Sequence, residues 1–82
     1  SQALEKAETA LAMAQQAGDR RVETRSRFML GIALYFRADY AKALDTFQQA
    51  SKQAQAEQNQ DEVAFLLTWI ALTQTALKEG AQ

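Results

Sequence analysis

The chain contains no cysteine, no proline and no histidine. Without histidine or cysteine it cannot build a zinc finger, a thiol nucleophile, a Ser-His-Asp triad or a disulfide framework. Carboxylates are the only strong metal ligands left, and they suit hard ions such as Mg²⁺ or Ca²⁺. No ligand cluster, Gly-rich phosphate loop or Gly-x-Ser-x-Gly motif occurs, so neither a metal nor a cofactor is expected. Long apolar runs are also missing. The nearest, Val63 to Leu72, is broken by Thr68 and is far too short to span a bilayer. No charged-then-apolar signal segment opens the chain, and a cytoplasmic location is the expectation.

Alanine (17) and glutamine (11) fill a third of the 82 residues, while valine and isoleucine together number four. Helix formers dominate and strand formers are scarce, which predicts an all-α domain. Apolar spacing and helix breakers divide it into four segments. The first runs from about Gln2 to Ala17, with Ala3, Leu4, Ala7, Leu11 and Ala14 on one stripe. Gly18 ends it and Asp19 caps the second, about Arg20 to Arg37, which is apolar on more than one face. Asp39 is the expected cap of the third, which runs to about Glu57 with Ala43, Leu44, Phe47, Ala50 and Ala54 aligned. Asn59 with Glu62 resembles a capping box, with Asp61 as a competing cap, and opens the fourth segment, about Gln60 to Glu79. Connections this short make consecutive helices antiparallel neighbours, either as stacked hairpins or as an up-down bundle.

An internal repeat selects the hairpins. A shift of 40 places Ala3-Leu4 on Ala43-Leu44, Ala10 on Ala50 and Ala14-Gln15 on Ala54-Gln55. A shift of 42 places Leu30 on Leu72, as if two residues were inserted in the polar break from Gln55 to Asp61. A helix-turn-helix period of this size points to an open solenoid. Leu30-Gly31, Leu34-Tyr35, Asp39-Tyr40, Ala43-Leu44, Phe47 and Ala50 then fall at the spacings of the tetratricopeptide repeat signature. The chain resembles that family over nearly its whole length, in the long-helix bacterial variety. Trp69 and Leu72 fit the signature of a further repeat, while Thr73 and Ala76 depart from it, as does Arg27, where a large aromatic is usual.

The resemblance implies a short stack of antiparallel helix-turn-helix hairpins. Residues 1–18 would be the second helix of one repeat, 19–58 a full repeat, and 59–82 the first helix of the next, a slice of a longer array. Gly31, Ala43 and Ala50 would let helices approach closely. A partner segment would lie on the first helices of the repeats: Arg25, Phe28, Met29, Ile32, Tyr35 and Phe36, then Leu67, Ile70, Ala71, Gln74, Leu77 and Lys78. Phe28 and Ile32 stand where carboxylate-clamping members carry Lys and Asn, so the implied surface is apolar and suited to an amphipathic helix. Trp69 and Leu72 would face a following helix, and Leu4 and Leu11 a preceding one.

The expected work is therefore protein–protein interaction, as a sensor or adaptor segment of a larger bacterial protein, and not catalysis. Self-assembly through the apolar faces is the alternative, because a chain's own copies also bury such stripes. A regulatory segment of an enzyme is a third reading. The carboxylate pairs Asp39 with Asp45 and Asp61 with Glu62 have roles as caps or outward-facing groups, and the serines have no base to activate them. Residues 20–37 hold five arginines and one glutamate, a net +4 against −5 for the rest of the chain. A basic run without interleaved aromatic residues, in a chain of net charge −1, does not point to nucleic acid as the partner.

Overall fold

A computed structural model describes residues 2–80. Residues 1, 81 and 82, at the outer edges of the expected first and last repeats, lie outside the described residues. The described chain forms four helices: α1 (Gln2–Ala17), α2 (Arg20–Phe36), α3 (Tyr40–Ala56) and α4 (Gln60–Gly80). Each lies within a residue or two of the segment that its apolar spacing predicts. The same turn separates them three times. Gly18, Ala38 and Gln58 adopt the left-handed conformation, with φ of 69°, 63° and 59°. After each, a backbone N–H reaches five residues back: Asp19 to Ala14 at 3.0 Å, Asp39 to Leu34 at 3.0 Å and Asn59 to Ala54 at 2.9 Å. This is the Schellman closure, which satisfies carbonyls that a helix end would otherwise leave unpaired.

The caps differ in chemistry. Asp19 accepts a hydrogen bond from the Val22 N–H at 3.2 Å. Asn59 accepts one from the Glu62 N–H at 3.3 Å, so the cap is Asn59, and Asp61 stands in the first turn. Asp39 occupies the cap position of α3 without a side-chain hydrogen bond. Its backbone position starts the helix, but its carboxylate does not tie down a free N–H.

Each helix packs on the next, and α2 also meets α4. Among the described residues, α1 comes nowhere within 8 Å, Cα to Cα, of α3 or α4. A closed four-helix bundle would join α1 to α4, so this is an open stack of hairpins. Its extents are 42 × 29 × 14 Å. The short dimension is what two helix layers with axes about 8–10 Å apart produce. Because α2 touches α4 while α1 and α3 stand apart, the stack curves with α2 and α4 on its inner side.

The core lies where α2, α3 and α4 meet. Ala43, Phe47, Ala50, Ala54 and Leu66 are all fully buried. Gly31 lies against the Phe47 ring so closely that a β-carbon there would stand 2.5 Å from Phe47 Cε1. Rings surround that contact: Phe28 meets Phe47 edge-on at 6.2 Å, Trp69 lies 5.7 Å from Phe47, and Tyr35 lies 5.4 Å from Trp69. Leu4 and Trp69 both pack towards this core, which corrects their expected roles at the open ends. Leu72 does remain largely exposed.

The repeat phase also differs from the sequence alignment. Gly18 and Gln58, Asp19 and Asn59, and the capped N–H groups of Val22 and Glu62 are each 40 residues apart. The fourth helix therefore stands 40 residues, not 42, from the second. The turns set the equivalence: Ile70 takes the place of Leu30, Ala71 that of Gly31, and Trp69 that of Met29.

Left-handed backbone costs an L-residue about 1–2 kcal/mol, while glycine gives back roughly 0.5–1 in chain entropy. Ala38→Gly and Gln58→Gly should therefore each stabilise the chain by about 0.5–1 kcal/mol. Equilibrium urea denaturation of the two variants checks this.

Candidate functional site, an apolar groove between the first two helices

On its face towards α1, α2 carries two large apolar side chains that folding leaves exposed. Phe36 is 74% exposed and Met29 51%. With Ile32 they line a groove of about 590 Å³ whose opposite wall is the alanine stripe Ala3, Ala7 and Ala10 of α1. Ser26 and Ala33 form its floor. Both are buried, as is Ala7, since small side chains let α1 lie close against α2. Lys6, Arg25 and Arg37 stand on the same groove, and no carboxylate lines it.

Four of the expected contact residues, Arg25, Met29, Ile32 and Phe36, are thus brought together. Phe28, Tyr35 and Ile70 are half-buried, pack against the core as Ile32 also does, and do not line this groove. Leu77 is half-buried, while Leu67, Ala71, Gln74 and Lys78 do not reach the groove from α4. The contribution of α1 is absent from the site expected on sequence. Its signal lies in the three alanines at helical spacing, which mark a wall as well as a packing surface.

Among the repeat-signature residues, Leu34, Ala43, Phe47 and Ala50 are buried. Leu30 and Leu44 are half-buried, and Tyr40 meets Tyr35 at 5.3 Å. A second depression, of about 550 Å³, lies between α1, α2 and α3 and includes Leu4, Glu8, Lys42 and Asp45. Its charges are of both signs, and it lacks the continuous apolar lining of the first. Asp45 there accepts a hydrogen bond from Gln49 at 2.8 Å.

The arginine run separates into individual roles. Arg27, placed where the signature has an aromatic, donates to Glu23 at 2.8 Å and to Gln53 at 2.7 Å. Gln53 in turn donates to Glu23 at 2.8 Å, closing a polar clamp between α2 and α3. Thr24 extends it by donating to Glu57 at 2.8 Å. Arg25 stands 3.9 Å from Glu62 of α4, a long contact that leaves the guanidinium two-thirds exposed. Arg20 and Arg21 face solvent. The basic run is thus spread over a clamp, a groove edge and open surface.

Comparison with protein-family models, with curated proteins and with solved structures returned no match to this chain. The tetratricopeptide likeness therefore rests on residue spacing.

The clamp makes stability sensitive to acid. Hydrogen bonding from Gln53, reinforced by the bond and charge of Arg27, lowers the Glu23 pKa below its ordinary 4.5, with partial desolvation acting in opposition. A lowered folded-state pKa means that the stabilisation is complete above pH 4.5 and fades as pH falls through the folded value. Glu23→Gln should be less stable than the parent at neutral pH. The gap should shrink below pH 4.5, where the parent carboxylate protonates. Denaturation midpoints of both proteins across an acid series measure it.

Proposed function

We propose that this chain is a protein–protein interaction module of the tetratricopeptide type, which captures a partner segment through the apolar inner face of its first hairpin. The observation that carries the reading is the exposure of Phe36 and Met29 on one continuous groove. Water disfavours a contiguous apolar patch, so one that folding leaves uncovered marks a contact surface. The α1 wall keeps the groove open by offering alanines at its apolar positions, with Lys6 beside them. Binding is the work such a surface performs. The adaptor or sensor role in a larger bacterial protein follows from the family likeness. No described helix is long and apolar enough to cross a membrane, and a cytoplasmic site of action is part of the same proposal.

Self-assembly is a second reading, favoured by Phe65, Leu67 and Leu72, which are 61%, 54% and 46% exposed on α4. The two readings use different helices, so they separate by substitution. Screening the chain against a displayed library of helical peptides should recover binders. Phe36→Glu should weaken the best of them at least about tenfold, since buried aromatic anchors dominate such contacts. Folding stability should fall by only about 0.5–1.5 kcal/mol, because Phe36 is exposed but meets the Tyr35 and Trp69 rings edge-on at 5.5 and 6.2 Å. Affinity unchanged by Phe36→Glu would contradict the groove. An oligomer dissolved by Leu72→Glu but not by Phe36→Glu would favour the second reading.

A further inference from the structure

Beside the turn at Gln58, a polar pocket of about 220 Å³ opens to the surface. Arg21, Thr24 and Arg25 of α2 form one wall, and Glu57, Asn59 and Glu62 form the other. The pocket is built by α2, α4 and the turn that joins α3 to α4, and by nothing else.

The cap of α4 leaves a carboxylate free there. In a full capping box, Glu62 would accept a hydrogen bond from the Asn59 N–H. That N–H is already bonded to the Ala54 carbonyl at 2.9 Å, as the Schellman closure requires. Only the other half of the box forms, from the Glu62 N–H to Asn59 Oδ1. The Glu62 side chain is 12% exposed, and its Oε1 is buried without a hydrogen bond. Its one ion contact, to Arg25 Nε at 3.9 Å, is too long to supply one. A buried acceptor without a donor is unfavourable, so this oxygen calls for an N–H or O–H from outside the chain. Glu57 beside it is half-buried and accepts from the Thr24 hydroxyl at 2.8 Å. No cation pairs with Glu57 among the described residues.

The turn does not need these acids. Forty residues earlier, Ala17 and Val22 take the places of Glu57 and Glu62. The same backbone bond closes that turn, from the Asp19 N–H to the Ala14 carbonyl at 3.0 Å.

Charge and size define the ligand. Arg21 and Arg25 are exposed and lie one helical turn apart on α2, outside the more buried glutamates. The four charges sum to zero, so an ion of either sign is drawn by one pair and repelled by the other. A zwitterion satisfies both. We infer that this pocket binds a free α-amino acid with a short polar side chain. Its ammonium donates to Glu62 Oε1 and the Glu57 carboxylate, and its carboxylate accepts from Arg21 and Arg25. The volume is that of roughly seven waters, which admits a free amino acid and excludes a peptide helix. Thr24 and Asn59 complete a lining suited to a polar side chain. The pocket shares only Arg25 with the apolar groove, so binding here does not depend on a partner there.

An amide-resolved NMR titration of the 82-residue chain tests this with three probes. They are L-serine, N-acetyl-L-serine, which lacks the ammonium, and ethanolamine, which lacks the carboxylate. L-Serine should shift the amides of residues 21–25 and 57–62 saturably, with a Kd of about 0.1–10 mM, as so few atoms allow. Each of the other probes should bind at least about tenfold more weakly, having lost one charged partner. Glu62→Gln should weaken L-serine about tenfold and leave the rest of the folded spectrum in place, because Oε1 makes no hydrogen bond within the chain. Arg21→Gln should weaken L-serine but not ethanolamine, and Phe36→Glu should change neither. No saturable shift up to about 100 mM L-serine would overturn the inference. Ethanolamine binding as tightly as L-serine would overturn it too, making the pocket a seat for a lone cation such as a partner's lysine. Equal affinity of L-serine for the Glu62→Gln chain, or of N-acetyl-L-serine for the parent, would do the same.

Discussion

The contact between Gly31 and the Phe47 ring sets the spacing of α2 and α3, and most of the remaining structure depends on that spacing. A phenylalanine that is wholly buried needs a neighbour without a side chain if the two helices are to stay close. Glycine inside a helix is unfavourable by about 1 kcal/mol relative to alanine, so the position is held against its local preference by packing. Around it the aromatic rings of Phe28, Tyr35 and Trp69 close the core, and Ala43 and Ala50 keep α3 close against its neighbours. Polar bonds at the other end of the same interface, between Glu23, Arg27 and Gln53, fix the register that the apolar contact alone would leave free to slide.

The open groove follows from what the first hairpin does not repeat. Its alanine at position 7 replaces the phenylalanine at 47, and methionine at 29 replaces tryptophan at 69. A ring at either place would occupy the space between α1 and α2 from within. Small residues keep it empty, and Phe36 and Met29 are left in water at its edge. The proposed binding by shape needs neither thiol nor imidazole, and the chain has neither.

Much of the fold is legible in the sequence because short-range chemistry decides it. Gly18 and Asp19 announce a turn by type, and the four helices follow from apolar spacing with ends correct to within two residues. Ala38 and Gln58 are less readable, since nothing in an alanine or glutamine advertises a positive φ; the Schellman hydrogen bonds impose it. The phase of α4 escapes the sequence for a related reason. Matching Leu30 with Leu72 aligns side chains, whereas the backbone turns at Gly18 and Gln58 fix which face turns inward. Trp69 consequently lies against Tyr35 and Phe47, not at a free end. Of the residues expected on a contact surface, Arg25, Met29, Ile32 and Phe36 line one groove with α1. Phe28, Tyr35 and Ile70 pack against the core, and Ile32 both packs there and lines the groove, because one stripe of a helix covered on two sides cannot be told from the other by periodicity alone.

A double-mutant cycle on Gly31 and Phe47 tests the central dependence most directly. Gly31→Ala alone should destabilise the chain by about 1–3 kcal/mol through overpacking, despite the gain in helix propensity. In a Phe47→Leu background the same substitution should cost much less or become stabilising, because the ring that opposes the new methyl is gone. Urea denaturation of the four proteins gives the coupling. If Gly31→Ala stabilises the parent, or changes stability equally in both backgrounds, the close approach at Phe47 is not what sets the spacing of these helices.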